Sequence, residues 1–402
     1  MKIAALDDLN IIELGDFVSA PFCSRLFADL GANVIKIESP YGDSSRRFGP
    51  FPDDVPHQEK SGLYLSLNFN KSSITVDLWH PRGRKIVHDL LMDTDILVTN
   101  LPLKSLEELE LNYASLKNKY SRLIYTCITP FGCTGPYNNW VGNSLTAQAL
   151  TGIPLQRGEP DREPLAFPAY LSQYETGLAA GIATMYALFS LETTGAGQLV
   201  DVSEWQFLAT YYNHDTVVTN FPDNRPQPKR RGNRGGTAYP FHVLPCKDGY
   251  IYLIAMRSQE WKRMLNMMGD PKWSTNPKFA DRVAIGRDHY QEVDDLLKPW
   301  LAKRTKMQIF ELCRAYQVPF APIYTAEDLL GDFHLRERGF FTEIPHTQVQ
   351  SYKFPGAPYQ WSKTPWNVRS AAPLLGQQNL EVLSKLGYSK EAARRLRSIG
   401  AI

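Results

Sequence analysis

Ser172, Gln173 and Glu175 stand close together in the stretch AYLSQYETGLAAGIATMYALFS, where a polar turn opens a helix rich in small residues. A hydroxyl or carboxylate at such a helix mouth can attack a carbonyl or carry a proton. The spacing supplies a plainer role first. Ser172 followed three residues later by Glu175 is a capping box, in which each side chain satisfies a backbone donor left open by the first turn. Gln173 has no such local duty. Its nitrogen lone pair is delocalised into the carbonyl and it bears no charge, so it can only hydrogen-bond.

Two further groups are of the kind that meets phosphate. Lys229, Arg230, Arg231 and Arg234 are interleaved with Gly232, Gly235 and Gly236. Such glycines let a loop move over a site or turn backbone N–H groups toward an anion, although a solvated interdomain loop has the same composition. Lys71, beside Asn70, begins a strand in LNFNKSSITVDL. There it is either a solvated lysine or a phosphate contact.

Other chemistries are disfavoured. The turn LGDFVSAPF after the first strand has one glycine, where a dinucleotide fold needs several to approach a pyrophosphate. Glu38 at the end of the second strand therefore does not signal NAD. The five cysteines (Cys23, Cys127, Cys133, Cys246 and Cys313) form no CxxC pair, and the eight histidines show no HExxH spacing. No metal, disulfide framework or permanently bound cofactor is expected. A formal net charge of +2 gives no reason to expect nucleic acid or an anionic membrane as partner. No apolar run reaches the length of about 18 residues needed to span a bilayer, and the acidic start MKIAALDDLNIIELGD is unlike a secretory signal. A soluble, cytoplasmic protein is expected.

The elements that must position these groups alternate. NIIELG, NVIKIE, SSITVDL, DILVTN and RLIYTCIT read as strands, separated by helical stretches such as PFCSRLFADLG and PRGRKIVHDLLMDT. That order implies βαβ crossovers and a largely parallel sheet, in a doubly wound, Rossmann-like α/β domain. A helix from Glu175 to Leu191 and a strand, GQLVDVS, follow. Composition shifts at NFPDNRPQPKRRGNRGGTAYPF, dense in Pro, Gly, Asn and Arg. Beyond it, HVLPCKDGYIYLIAM reads as two strands joined by a Lys-Asp-Gly turn, before further helices. The expected organisation is a large domain of residues 1–224 and 326–402, with a smaller α+β domain inserted at 225–325.

LFADLGANVIKIESPYGDSSR, LNFNKSSITVDL, ITPFGCTGPYNNW, TAQALTG, ETTGAGQLVDVSEWQ, RRGNRGG, PCKDGYIYL and PLLGQQNLEVLSKLG agree in order, spacing and type with successive signatures of one family. Over nearly its whole length the chain resembles the class III CoA-transferases. The resemblance implies an interlocked dimer, two chains threaded like links. It also implies covalent transfer of coenzyme A between carboxylic acids, with coenzyme A thioesters as substrates. An aspartate attacks the thioester and forms a mixed anhydride. The released thiolate converts that to an aspartyl-CoA thioester, and the acceptor acid reverses the sequence.

In the family the nucleophile lies three residues before the Thr-Gly that opens the helix. Here that pair is Thr176-Gly177, so the matching residue is Gln173. Glu175 is a substitute only if it leaves its cap. The resemblance places coenzyme A contacts at Val18, Ala20, Asn70, Lys71, Asn100, Gly232, Gly235 and Gly236. It also marks departures: Ser39 and Pro40 where an arginine often stands, and the acids Glu107, Glu108 and Glu110 where some members place another. In the related racemases a histidine stands at the position of Asn143. The reading that follows is a catalytically silent subunit of a heteromeric CoA-transferase, with the nucleophilic aspartate on a paralogous partner. Succinyl-CoA would be the donor and another carboxylic acid the acceptor, benzylsuccinate of anaerobic aromatic breakdown being one example. The alternatives are an active homodimer using Glu175 and a non-catalytic acyl-CoA-binding module.

Overall fold

The computed structural model describes residues 4–212, 230–235 and 238–402. The chain divides into two compact units. One comprises Met1–Pro154, Ala166–Gln227 and Glu337–Ile402, and the other Leu155–Leu165 and Pro228–Arg336.

The first unit is built on six parallel strands, β1 (Asn10–Leu14), β2 (Asn33–Glu38), β3 (Lys71–Thr75), β4 (Ile96–Thr99), β5 (Ile124–Thr129) and β6 (Leu199–Ser203), in the spatial order β3-β2-β1-β4-β5-β6. This is the doubly wound α/β arrangement, with the order reversing between β1 and β4. Alternation along the strands sorts the apolar side chains onto two faces. Ile11, Val34, Ile96 and Ile124 are in register across one face, where they pack with residues of α1 (Ser19–Asp29) and α7 (Leu171–Thr194). Ile12, Leu97 and Tyr125 line the other. There α3 (Pro81–Leu91), α15 (Asn379–Lys385) and α16 (Lys390–Ser398) bury Ile86, Leu90, Val382, Ala393 and Leu396.

Further helices join the strands: α2 (Gly62–Asn68), α4 (Leu103–Glu108), α5 (Tyr113–Leu116), α6 (Ser144–Leu150) and α8 (Glu204–Tyr212). An antiparallel ribbon of β10 (Phe341–Ile344) and β11 (Tyr352–Pro355) completes this unit. Contact between α1 and α7 depends on small residues. A Cβ added at Gly177 would lie 2.6 Å from the Ser19 carbonyl oxygen, so only glycine allows the helices to meet there.

The second unit holds a three-stranded antiparallel sheet of β7 (Phe241–Cys246), β8 (Gly249–Ile254) and β9 (Ala321–Pro322). Helices α9 (Ser258–Met267), α10 (Arg282–Ala284), α11 (Tyr290–Leu301) and α12 (Lys306–Tyr316) accompany it. Its core is separate, formed by Leu244, Ile251, Trp261, Val293, Leu297 and Ile309 among others. The turns α13 (Ala326–Gly331) and α14 (Phe333–Glu337) end it. No described helix is long and apolar enough to cross a membrane.

Candidate functional site

In an open parallel sheet, ligands approach the carboxyl ends of the strands near the point where strand order reverses. Here that point is the β1–α1 turn, Gly15-Asp16-Phe17-Val18. Asn100, just past β4, clamps it: its Oδ1 accepts the Asp16 N–H at 2.8 Å, and its Nδ2 donates to the Asp16 carbonyl at 2.8 Å and to Ser19 Oγ at 3.0 Å. The Asp16 carboxylate accepts from the Ser44 N–H at 2.7 Å and its hydroxyl at 2.6 Å. Phe17 takes φ 67°, a conformation that L residues rarely adopt. A cavity of about 320 Å³ opens beside this turn, lined by Gly15, Asp16, Ser39, Asp43, Arg47 and Asp77 among others.

Beneath it lies a network of buried ions that composition did not announce. Lys36 is fully buried between Glu13 and Asp43, each at 2.6 Å. Lys71, also fully buried, pairs with Glu13 at 2.8 Å and donates to the Pro21 carbonyl at 2.7 Å and Asn68 Oδ1 at 2.9 Å. Burial by itself would raise the Glu13 carboxyl, but the two ammonium groups reverse that and hold it at about 2. Burial lowers the Lys71 ammonium to about 8, partly opposed by Glu13. Next to this set, Arg46 clasps Glu38 at 2.7 Å and Glu59 at 2.7 Å. All three ammonium donors of Lys71 are engaged inside the protein, which leaves none for a phosphate. Its role is structural. Asn70 is similar: its amide binds Asp29 and the Asn367 carbonyl, and its oxygen accepts from Arg369 and Ser370. Val18 and Ala20 are wholly buried in hydrophobic clusters, so a ligand could reach only their backbone. A sequence signal for the network existed: charged residues Glu13, Lys36 and Glu38 inside otherwise apolar strands.

The mouth of α7 differs from the expected capping box. The helix begins at Leu171, four residues before Glu175, and its cap, Tyr170, makes no side-chain capping hydrogen bond. Ala169 (φ 55°) and Tyr170 (φ 59°) are both left-handed, a strained pair with no glycine. The chain thus turns sharply into the helix, and Ser172 falls inside the first turn rather than at its cap. The Ser172 hydroxyl meets that of Ser144, which also accepts from Gln148 Nε2 at 3.0 Å. A capping box does occur upstream, at α6, where Asn143 and Thr146 exchange side-chain and backbone hydrogen bonds.

Gln173 sits in that first turn of α7. Its Oε1 is buried and accepts no hydrogen bond among the described residues. Glu175 is half-buried one position short of Thr176 and is set away from Gln173 by the turn of the helix. Sequence reasoning missed Glu204. It is buried near Ser172, and burial raises its carboxyl above the usual range, only partly offset by hydrogen bonding to Ser172. Tyr170 and Tyr174 border a cavity of about 560 Å³ with Phe51, Leu63, Tyr352 and Phe354.

The arginine–glycine loop belongs to the second unit, where it lines a cavity of about 510 Å³ with Tyr239, His242 and Tyr290. Its glycines serve packing. A Cβ at Gly232 would lie 2.4 Å from Glu159 Oε2, and one at Gly235 would lie 2.2 Å from the Phe241 ring. Their N–H groups are spent on the Gly158 and Phe241 carbonyls, at 3.0 and 2.8 Å, and are not turned toward an anion. Arg234 pairs with the buried Asp294 at 2.5 Å and stacks over Tyr290, and Arg230 donates to the Glu159 carbonyl. Asp294 also accepts from Tyr239 and His242. Lys229 and Gly236 lie outside the described residues. Elsewhere, Glu107 and Glu108 are exposed on α4, with Glu108 facing Lys104 at 3.9 Å. Neither lines a described cavity. Among the described residues no group of three His, Cys, Asp or Glu is arranged to hold a metal ion.

A doubly wound sheet with a clamped turn at its switch point, packed against the mouth of α7 through Phe17 and Tyr170, is a frame that takes a ligand at the carboxyl ends of its strands. The particular frame is identified by comparison. The profile of CoA-transferase family III matches residues 6–379, and the chain belongs to that family. It is 32% identical to succinyl-CoA:(R)-benzylsuccinate CoA-transferase subunit BbsE of Thauera aromatica, over 95% of this chain and 94% of the relative. It is 30% identical to the succinyl-CoA–L-malate CoA-transferase beta subunit of Chloroflexus aurantiacus, over 98% and 97% of the two chains. The crystal structure of a CAIB/BAIF family protein from Brucella suis superposes with a TM-score of 0.87 at 28% identity, covering 95% of this chain and 99% of that one.

Proposed function

We propose that this chain is the catalytically silent subunit of a heteromeric CoA-transferase, interlocked with a paralogous partner that carries the nucleophilic aspartate. Gln173 carries the reading. It occupies the nucleophile position with a carboxamide, which can neither form an anhydride nor be regenerated from one. Its buried, unpartnered oxygen is an acceptor awaiting a donor from a ligand or another chain, since such a group left alone costs about 1–3 kcal/mol.

Two further facts support the heteromer. The relatives from Thauera and Chloroflexus are themselves named as subunits. The outer face of α7 presents Leu178, Ile182, Met185, Tyr186 and Phe189 to solvent, with Tyr186 74% and Phe189 71% exposed. A row of large apolar groups at helical spacing is a surface meant to be covered. In this scheme the partner's aspartate attacks succinyl-CoA to give a mixed anhydride and free coenzyme A thiolate, and the thiolate then attacks the aspartyl carbonyl, releasing succinate and leaving an aspartyl-CoA thioester. An acceptor acid such as benzylsuccinate then collects the coenzyme A. The chain described here completes the fold and walls the site. Its five free cysteines fit the reducing cytoplasm.

The test is co-expression with an Asp-bearing paralogue. Turnover is expected only from the complex, and mass spectrometry after incubation with acyl-CoA is expected to find the label on the partner's aspartate. Acyl or coenzyme A adducts on the Tyr170–Gly177 segment would overturn the reading.

A further inference from the structure

Beside the mouth of α7, the turn 49–52, residues of α2 and residues of β11 enclose a cavity of about 560 Å³ within the first unit. Cavities of roughly 300–1,000 Å³ take small organic ligands. The walls here are aromatic, from Phe51, Tyr170, Tyr174, Tyr352 and Phe354, together with the buried Leu63 and Leu65. Other rings brace them. Phe17 meets Tyr170 edge-on at 4.7 Å between centroids, Phe22 meets Tyr174 at 5.0 Å, and Phe69 packs against Phe354 at 6.3 Å. The walls are therefore preformed.

Two observations mark this cavity as a ligand site rather than loose packing. The first is strain. Among the described residues, two pairs of consecutive non-glycine residues hold left-handed backbone, Asp53-Asp54 (φ 53° and 54°) and Ala169-Tyr170 (φ 55° and 59°). Both fall at this cavity, one directly after Phe51 and Pro52 and the other within its lining. Such strain persists where the surroundings enforce it, and it clusters at ligand clamps. The second is charge. The lining includes Lys60 and Lys353 and no acid. Glu59, next to Lys60, is committed to Arg46 at 2.7 Å and to the Leu375 N–H at 3.2 Å. Glu343 stands opposite Lys353 across the β10–β11 ribbon, and Asp53 and Asp54 are exposed beyond Pro52. None of these acids forms an ion pair with either lysine among the described residues.

We propose that this cavity binds a carboxylic acid that carries an aromatic ring. The ring lies among Phe51, Tyr170, Tyr174 and Phe354, and Lys60 and Lys353 supply the positive charge for the carboxylate. Edge-to-face contacts favour a flat ring over a flexible chain, which loses more freedom on entering a preformed slot. An ammonium gains from a carboxylate a charge-assisted hydrogen bond that a neutral group does not give. Phosphates fit poorly, because walls of carbon leave their oxygens unpaired. The β10–β11 ribbon thereby has a use, since it brings Tyr352, Lys353 and Phe354 to the site. The assignment deepens the transferase reading by naming a class of acid, and the acid's part in transfer rests on that reading. With a carboxamide at Gln173, an acid seated here is held and not consumed.

The experiment is calorimetric titration of the co-expressed complex with 3-phenylpropanoate, its neutral amide 3-phenylpropanamide, and hexanoate. Substitutions are made in this chain only. Lys60→Gln combined with Lys353→Gln is expected to weaken 3-phenylpropanoate by about tenfold and to leave the amide within about twofold. Phe51→Leu is expected to weaken both aromatic probes by about fivefold and to leave hexanoate unchanged. Equal thermal melting of the variants shows that the fold is intact, and the lysine pair gives a test that leaves the aromatic packing untouched. Unchanged 3-phenylpropanoate affinity in the lysine variant overturns the assignment. So does hexanoate binding as tightly as 3-phenylpropanoate, which marks a general apolar slot. Absence of 3-phenylpropanoate binding also overturns it and marks the cavity as a seat for the partner chain. The two readings fail separately. If the partner's aspartate is labelled but the lysine variant is indifferent, the acid assignment falls and the silent-subunit reading stands. If this chain turns over alone while the lysine variant loses the acid, the reverse holds.

Discussion

The carboxyl ends of β1–β3 and the mouth of α7 lie in one unit, yet they handle polarity in opposite ways. At the strand ends every buried ion has a partner: Glu13 serves Lys36 and Lys71, and Lys36 also serves Asp43. At the helix mouth two left-handed residues stand in sequence, and the Gln173 oxygen accepts no hydrogen bond among the described residues. A fully matched buried network fixes one backbone arrangement, since breaking it strands a charge. An unmatched group with local strain marks a place that something else completes. The first region is scaffold, and the second is where the proposed function places a site completed by another chain.

Substitution tests that contrast. Glu13→Ala is expected to have the largest effect, about 3–5 kcal/mol lost in chemical denaturation, because Lys71 would be left buried without a counter-charge and Lys36 with Asp43 alone. Gly177→Ala comes next. Its methyl would lie 2.6 Å from the Ser19 carbonyl, so α1 and α7 must separate, at a cost of about 1–3 kcal/mol visible in thermal melts. Gln173→Ala is expected to change stability by only about 0.5 kcal/mol, since no described hydrogen bond to its oxygen is lost. A cost for Gln173→Ala equal to that of Glu13→Ala would break the comparison.

Acid sharpens it. The Glu13 carboxyl is held at about 2 in the folded protein against an ordinary value of 4.5. Between those pH values the unfolded chain binds the proton and the folded one does not, so stability falls as pH falls through the window. This group alone is expected to add a slope of about 1.4 kcal/mol per pH unit there. Denaturation midpoints at pH 5, 4 and 3 measure it, and Glu13→Gln is expected to flatten the curve by one proton. The smallest effect is expected from Gln173→Asp. The α7 dipole favours the new carboxylate by only about 0.3–1 kcal/mol, and transferase assays of the complex are expected to show little change.

Much of the first unit was legible in the sequence. NIIELG, NVIKIE, DILVTN and RLIYTCIT became β1, β2, β4 and β5 because short apolar runs between turn signals have no other use in a parallel sheet. The Lys247-Asp248-Gly249 turn likewise joins β7 and β8 as an antiparallel pair. Three features were hidden. The β10–β11 ribbon carries polar residues and no long apolar alternation, so nothing in Phe341–Ile344 announces it. The start of α7 was misplaced because a capping box at Ser172 and Glu175 satisfies the local rule, while a tertiary turn through Ala169 and Tyr170 overrides it. Lys71 looked equally suited to solvent or phosphate, since its partner Glu13 is 58 residues away in sequence. Gln173 was legible as an anomaly from its chemistry alone. Its orphaned oxygen was not.

The uncovered side of α7 bears on how such a protein must be made. Without a covering partner, the chain presents Tyr186, Phe189, Ile182 and Leu178 to solvent as a ready adhesive strip. In the interlocked pair proposed above, the chains cannot simply dock after each has closed; one must still be open when the other arrives. On that proposal, balanced synthesis of the two chains becomes part of the folding problem. Copies of this chain left without a partner would be the first to meet chaperones and proteases.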